Sequence, residues 1–244
     1  MNIDVYAICW NEEKLLPYFL RHYSTFARSI TIFDNYSDDG SIEIIKSCPI
    51  AQIKRYNSES KIRDDMYVQI KSRCWRGSDA DYVIVVDIDE LVWHADLVGY
   101  LEDNKHISIF YPVGYEMVGE TFPTTSGQLY DEINHGVLFP GIHKTKPCMF
   151  DPQRITRINY GVGCHEAFPT GDVTESRDDD NLKLLHCKNL SADYVAERHE
   201  LLRGRLSDIN KARKWGSHYN RSVKYSLNGY HNLFQCRKLV IEDN

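Results

Sequence analysis

The stretch DYVIVVDIDELVWH, residues 81–94, limits the fold more than any other part of the chain. Tyr82 to Val86 is an unbroken apolar run, which reads as a strand buried on both faces and not as one with a wet side. Such strands belong to α/β sheets with helices packed on both faces. The run stops at Asp87, Asp89 and Glu90. Carboxylates at the end of a buried strand are costly unless something positive meets them.

The rest of the first half supplies the other strands and the covering helices. Residues 3–9 (IDVYAIC), 29–34 (SITIFD) and 50–56 read as strands. Between them Leu15, Leu16, Phe19, Leu20, Tyr23 and Phe26 recur at helical spacing from Glu12 to Phe26. A shorter helix is expected at 41–48, stopped by Pro49, and a longer one at 62–75. A helix at 97–101 and a strand in HISIFYPV (106–113) come next. Strands separated by helices predict a mostly parallel sheet, whose ligands bind outside the carboxyl ends of the strands. The polar strand ends fall there: Trp10, Asn11 and Glu12, then Asp34 and Asn35, then Asp87 and Asp89. The second half is less regular. It reads as loops rich in Gly, Pro and His from 112 to 181, and closes with a polar helical stretch from Ser191 to Trp215. One domain over 1–244 is expected, with 1–112 and 113–244 as its two halves.

Composition excludes several classes. The chain has 244 residues, 42% hydrophobic and 26% charged, which is globular and not disordered. A net charge of −6 excludes a broad basic field for nucleic acid or anionic membrane, so phosphate chemistry needs a local basic cluster or a metal. Seven cysteines without C-x-x-C spacing indicate neither a disulfide framework nor a zinc ribbon. No signal peptide and no membrane-length apolar run is visible, so a cytoplasmic protein is expected.

If the backbone stays extended past Val86, Asp87 and Asp89 point to the same side. Two carboxylates so close repel, and a divalent cation is the usual relief. Mn2+ or Mg2+ would leave positions for water and substrate phosphates. The alternative is that the acids open a loop and face solvent. In LLHCKNLS (184–191), His186 is either a core residue or a third metal ligand, with Lys188 adding positive charge beside it.

Five fragments together resemble family 2 glycosyltransferases with the GT-A fold, in particular a bacterial and viral branch: AICWNEEKLLPYFLRHY, ITIFDNYSDDGS, DYVIVVDIDELVWH, LLHCKNLS and RHELLRGRLSDINKARKWGSHY. The resemblance implies a Rossmann-like, mostly parallel sheet with helices on both faces and a less regular acceptor-side half. It implies a hexosyl- or deoxyhexosyltransferase, moving sugar from a nucleotide diphosphate sugar (UDP-linked by preference) to a carbohydrate acceptor. Asp34 then accepts the imide N–H of the base, Ala7, Cys9 and Asn11 line the base and ribose, and Arg63 lies near the base or phosphates. Asp87, Asp89 and His186 hold the metal that bridges the diphosphate. Lys188 stabilises the leaving group, with Lys144, Lys146, Arg154 and Arg157 as weaker candidates. Inversion needs a base for the acceptor hydroxyl. In GVGCHEAFPTG that base is Glu166, with His165 as its neighbour, and Asp151 stands behind it. The family's E-D and Q-x-x-R-W motifs are missing here.

Segments 113–128 and 135–143 are expected to shape the acceptor pocket. Glu90 either orients a metal-bound water or donor hydroxyl, or caps the segment after it. Competing readings remain. VIVVDIDEL resembles the first motif of haloacid dehalogenase-type phosphatases, although Leu91 departs from it. An inactive nucleotide-sugar binding protein would keep Asp34 and the two aspartates. The chain is either whole or a module of a larger glycosyltransferase.

Overall fold

The computed structural model describes residues 1–140, 144–177 and 179–242. Residues 141–143, part of the expected acceptor stretch, lie outside them. Four parallel strands form one side of the larger sheet: β1 (Ile3–Cys9), β2 (Ser29–Asp34), β3 (Ala51–Arg55) and β4 (Tyr82–Asp87). They lie in the order β3-β2-β1-β4, with Cys9 opposite Asp34 and Ile8 opposite Asp87, so their carboxyl ends are level.

Successive side chains of β1 and β4 enter two different cores, as the two-residue period of a strand requires. Ile3, Val5, Ala7 and Cys9 join Ile84 and Val86 under Leu16, Phe19, Leu20 and Tyr23 of α1 (Leu16–Tyr23) and Ile45 of α2 (Ser41–Ser47). Tyr6, Val83 and Val85 face the other way, onto Val68 of α3 (Asp64–Lys71) and Trp75. Both faces being covered is why the runs at 3–9 and 82–86 are apolar without alternation. Helix α1 starts with Pro17 in its first turn, where no backbone N–H is missed, and ends with Arg21 and His22 at its carbonyl end.

The chain leaves this sheet at a turn over Ile88 and Asp89 and enters a second one at β5 (Glu90–Trp93). After α4 (Leu97–Asp103), β6 (Ile109–Tyr111) returns to the first sheet. Pro112 has no N–H to donate, so the expected strand 106–113 breaks there. Segment 113–118, expected to be a loop, is strand β7 (Val113–Val118) of the second sheet. Helix α5 (Leu129–Glu132) and β8 (His135–Leu138) come next. Strand β9 (Met149–Phe150) runs antiparallel between β4 and β6. Strands β10 (Ile155–Arg157) and β11 (Thr170–Gly171) pair apart, and β12 (Glu175–Arg177) adds to β6. Strand β13 (Lys183–Asn189) lies between β7 and β5.

The closing helical stretch is two helices, α6 (Ala192–Arg203) and α7 (Asp208–Arg213). Beyond them lie helix α8 (Val223–Cys236) and β14 (Lys238–Leu239), the latter on the edge of the second sheet beside β8. Among the described residues no helix is long and apolar enough to cross a membrane.

Candidate active site

A cavity of about 330 Å3 opens at the level carboxyl ends of β1, β3 and β4. Trp10 and Glu12 enter it from the end of β1, Tyr56 from the end of β3, and Asp64, Tyr67 and Lys71 from one face of α3. Asp87, Asp89 and His186 form its floor, and Arg198, Arg205 and Tyr219 come from the C-terminal segment. Its volume suits a small-molecule site, and its position is where open α/β sheets bind ligands.

Both aspartates line the cavity, although the turn at 88–89 interrupts the extended backbone, and they pair with different cations. Asp87, at the end of β4, takes a salt bridge from Lys71 of α3 at 2.6 Å and a longer one from Lys146 at 3.4 Å. Burial works to raise the Asp87 carboxyl, but the two lysines outweigh it and hold the pKa below the ordinary value. Lys146 also reaches both oxygens of Glu90, at 2.5 and 2.7 Å, and Glu90 accepts the Asp87 N–H at 2.9 Å. Glu90 is 3% exposed and lies outside the cavity lining, so it is the partner of a buried lysine and takes neither a metal-bound water nor a donor hydroxyl.

Asp89 belongs to a different network. Its Oδ2 lies 3.5 Å from His186 Nε2 and 3.2 Å from Arg198 Nη2. His186 is brought there by sheet register: β13 sets it opposite Glu90 of β5 on one side and Glu116 of β7 on the other. Its Nδ1 is 3.3 Å from Glu116 Oε1, and Glu116 also accepts from Lys188 at 2.9 Å and Asn189 at 2.8 Å. Arg198 bridges Asp89 to Glu12, at 2.7 Å. Burial lowers the His186 pKa, Glu116 and Asp89 raise it, and the result is about 9. Burial raises Glu116, His186 and Lys188 lower it more, and it lies at about 2.

Among the described residues no three His, Cys, Asp or Glu side chains group as a cation site. Asp89 and His186 nonetheless fit one together. A carboxylate and an imidazole are apt donors for Mn2+ once His186 gives up its proton to make room for the cation's charge, both line the cavity, and two protein donors leave the remaining positions to phosphate and water. Asp87 fits less well, since Lys71 and Lys146 already neutralise it.

The structure does not bring the other expected residues to the cavity lining. Ala7 and Cys9 are buried in the core under α1, because their strand positions face that helix. Asp34 is fully buried, accepts from the Ser37 N–H and hydroxyl, and pairs with Arg55. Asn11 joins its loop to the next one, its amide donating to Asp38 at 2.6 Å. Arg63 is bidentate on Asp65, at 2.8 and 2.7 Å. Lys188 is turned to Glu116. Asp151 caps a turn through the N–H groups of Gln153 and Arg154, and Arg154 pairs with Asp172. Val162, Gly163 and Cys164 line the cavity, Gly163 at φ 79°, a backbone region that favours glycine. Glu166 is exposed just beyond them, and the His165 ring meets Phe139 edge-on at 6.4 Å.

The sequence reading missed Lys71, Arg198 and Arg205. The last is held by a clasp between distant segments: Ile62 donates to the Arg205 carbonyl at 2.7 Å, and Asn210 exchanges hydrogen bonds with Asp64. Arg205 donates from Nε to the Ser60 carbonyl, lies over the Trp10 ring at 3.1 Å, and is 7% exposed. Its Nη2 has no hydrogen-bond partner, and burial lowers its pKa to about 10. A buried guanidinium without a carboxylate is a place for an anion. The signal in sequence was two arginines, Arg198 and Arg205, in RHELLRGRLSDINKARKWGSHY, read as polar helix and as part of the resemblance, with no role given to either.

No protein-family model matches the sequence, and no curated protein does. Among solved structures the chain is similar to S. aureus TarS 1–349, at 11% identity over 95% of this chain and 72% of that one, with a TM-score of 0.45. The same TarS segment in complex with UDP gives 13% identity over 92% and 73%, also at 0.45. Glucosyl-3-phosphoglycerate synthase from Mycobacterium tuberculosis, in complex with Mn2+, UDP and glucosyl-3-phosphoglycerate, gives 15% over 46% and 44%, at 0.34. The chain spans 39% of a longer TarS structure.

Proposed function

We propose that the chain is a glycosyltransferase that takes a nucleotide diphosphate sugar, UDP-linked by preference, and passes the sugar to the hydroxyl of a glycan, glycolipid or glycoprotein acceptor. The observation that carries this is the cavity at the carboxyl ends of the parallel strands. There Asp89, in the turn between the two sheets, and His186, on β13 of the second, face Arg198 and Arg205, whose Nη2 has no hydrogen-bond partner among the described residues. Trp10, Tyr56, Tyr67 and Tyr219 add the aromatic walls that a nucleoside needs.

Asp89 and His186 would hold Mn2+ or Mg2+, which when bound neutralises diphosphate charge as the sugar–oxygen bond breaks. Arg205, which makes no salt bridge among the described residues, binds the diphosphate and meets the growing negative charge of the leaving group. Arg198 holds Asp89 in place against Glu12. The clasp between 62–64 and 205–210 keeps water from the bound phosphates. For an inverting transfer the base is Glu166, the exposed carboxylate just past the cavity-lining Cys164.

A thermal-shift screen of UDP-, GDP- and dTDP-sugars with and without manganese tests the reading. Ligand at about 100 times its Kd adds about 2.7 kcal/mol of stability, a readable upward shift in Tm. A UDP-sugar is expected to give the largest shift and to release UDP on standing with enzyme. No shift with any of these nucleotide sugars, with or without metal, would sink the proposal.

A further inference from the structure

A second concavity, of about 470 Å3, adjoins the cavity and shares Val68 of α3 with it. Gln69, Ser72, Arg73 and Arg76 line it at the i, i+3, i+4, i+7 spacing of one helical face, the turn after α3 continuing that face through the Ser72 N–H to Val68 and Cys74 N–H to Ile70 hydrogen bonds. Arg157, at the end of β10, closes it from the opposite side together with Asn159. No carboxylate lines it among the described residues.

All but one of the arginines elsewhere in the described residues are held by a carboxylate, a carbonyl or a ring, as Arg28, Arg63, Arg154, Arg198 and Arg221 are. Among the described residues Arg73, Arg76, Arg157 and Arg203 have no such side-chain partner, and three of these four share this groove. In a chain of net charge −6, three exposed guanidiniums without a carboxylate in one groove make a local positive patch that an anion would complement. Guanidinium forks, with the Ser72 hydroxyl and the Gln69 and Asn159 amides, match the oxygens of phosphate, sulfate or carboxylate groups.

We propose that this groove is an acceptor track for an anionic glycan, a chain bearing phosphate, sulfate or carboxylate groups whose end reaches the cavity past Val68. Resting on the glycosyltransferase reading, it names the acceptor class. Nucleic acid is disfavoured because a single groove on an acidic protein lacks the broad positive field that a nucleic-acid backbone engages.

The test measures binding of heparin, short-chain polyphosphate and single-stranded DNA to the wild-type chain and to the triple variant Arg73→Gln, Arg76→Gln, Arg157→Gln. Wild type is expected to bind heparin and polyphosphate in a salt-dependent way. The triple variant should bind them about tenfold or more weakly, with the slope of log affinity against log salt shallower by about two to three. The UDP-induced Tm shift should be the same in both proteins, since none of the three arginines lines the cavity. The exposed Arg157→Gln alone repeats the measurement if the triple variant fails to fold, with a smaller loss in the same direction. Equal affinity in the variants, or no binding of either anionic polymer by wild type, overturns the groove. DNA binding tighter than heparin overturns the glycan assignment. Absence of any UDP shift in wild type strikes the glycosyltransferase reading separately, leaving the polymer result to stand as measured.

Discussion

Two acids only two residues apart serve two different regions of this molecule. Asp87 ends a strand of the first sheet and is gripped by Lys71 and Lys146, with Glu90 buried behind. Asp89 lies in the turn that leads to the second sheet and faces His186 and Arg198 in the cavity. In the first region Lys146 is the near cation for Glu90. In the second, each partner of Asp89 has another carboxylate of its own, Glu12 for Arg198 and Glu116 for His186. The difference is one of redundancy: in the first network Glu90 has only Lys146 as a salt-bridge partner among the described residues, whereas in the second each partner of Asp89 keeps another carboxylate.

Removing Lys146 should break the comparison most severely. Lys146→Met leaves Glu90, with a side chain 4% exposed, as a buried charge without a cation, and is expected to cost about 3–5 kcal/mol in urea denaturation. A loss below about 1 kcal/mol would mean that the network is ornamental, the range of an exposed pair.

Acid and alkaline titration sharpens the other side. Glu116 is depressed from 4.5 to about 2, so its contribution is present above pH 4.5 and is lost as the pH falls through 2. His186 is raised from 6.5 to about 9, so its contribution is present below pH 6.5 and is lost as the pH rises through 9. The two overlap in the His186–Glu116 pair, which is worth at most about 3 kcal/mol and is counted once, while Asp89 also raises His186 and Lys188 also lowers Glu116. Without added metal, urea stability should plateau between pH 4.5 and 6.5 and fall on both sides. Glu116→Gln should flatten the acid limb; an unaltered acid limb would remove Glu116 from the account.

The smallest effect on folding is expected at the cavity itself. Asp89→Asn leaves Arg198 on Glu12 and His186 on Glu116, so its urea stability should stay within about 1 kcal/mol of wild type. A loss as large as that of Lys146→Met would erase the distinction between the two regions.

The first half of the fold was legible because its strands are covered on both faces. Ile3–Cys9 and Tyr82–Val86 show as apolar runs, and α1 shows as a helical stripe between strands. The second sheet was not legible. In β7 (VGYEMV) a glycine and a glutamate interrupt the apolar positions, and its partners β13 and β8 are reached across loops with no pattern of their own. The site was legible in part. Asp89 and His186 stand out in local sequence, and register does bring them together. Asp34 and Arg63 stand out by resemblance, and each is held by a neighbour, Arg55 and Asp65, that spacing alone does not reveal. Arg205 depends on the Ile62–Leu206 bridge, a contact between distant segments with no local signature.

The central claim is that Asp89 and His186 form the floor of a nucleotide diphosphate site. Calorimetric titration of UDP with manganese into wild type and Asp89→Asn tests it most directly. Wild type should bind, and the folded variant should bind about 10- to 100-fold more weakly, the usual cost of disturbing a metal-linked contact. Equal affinity in the two proteins would contradict the claim.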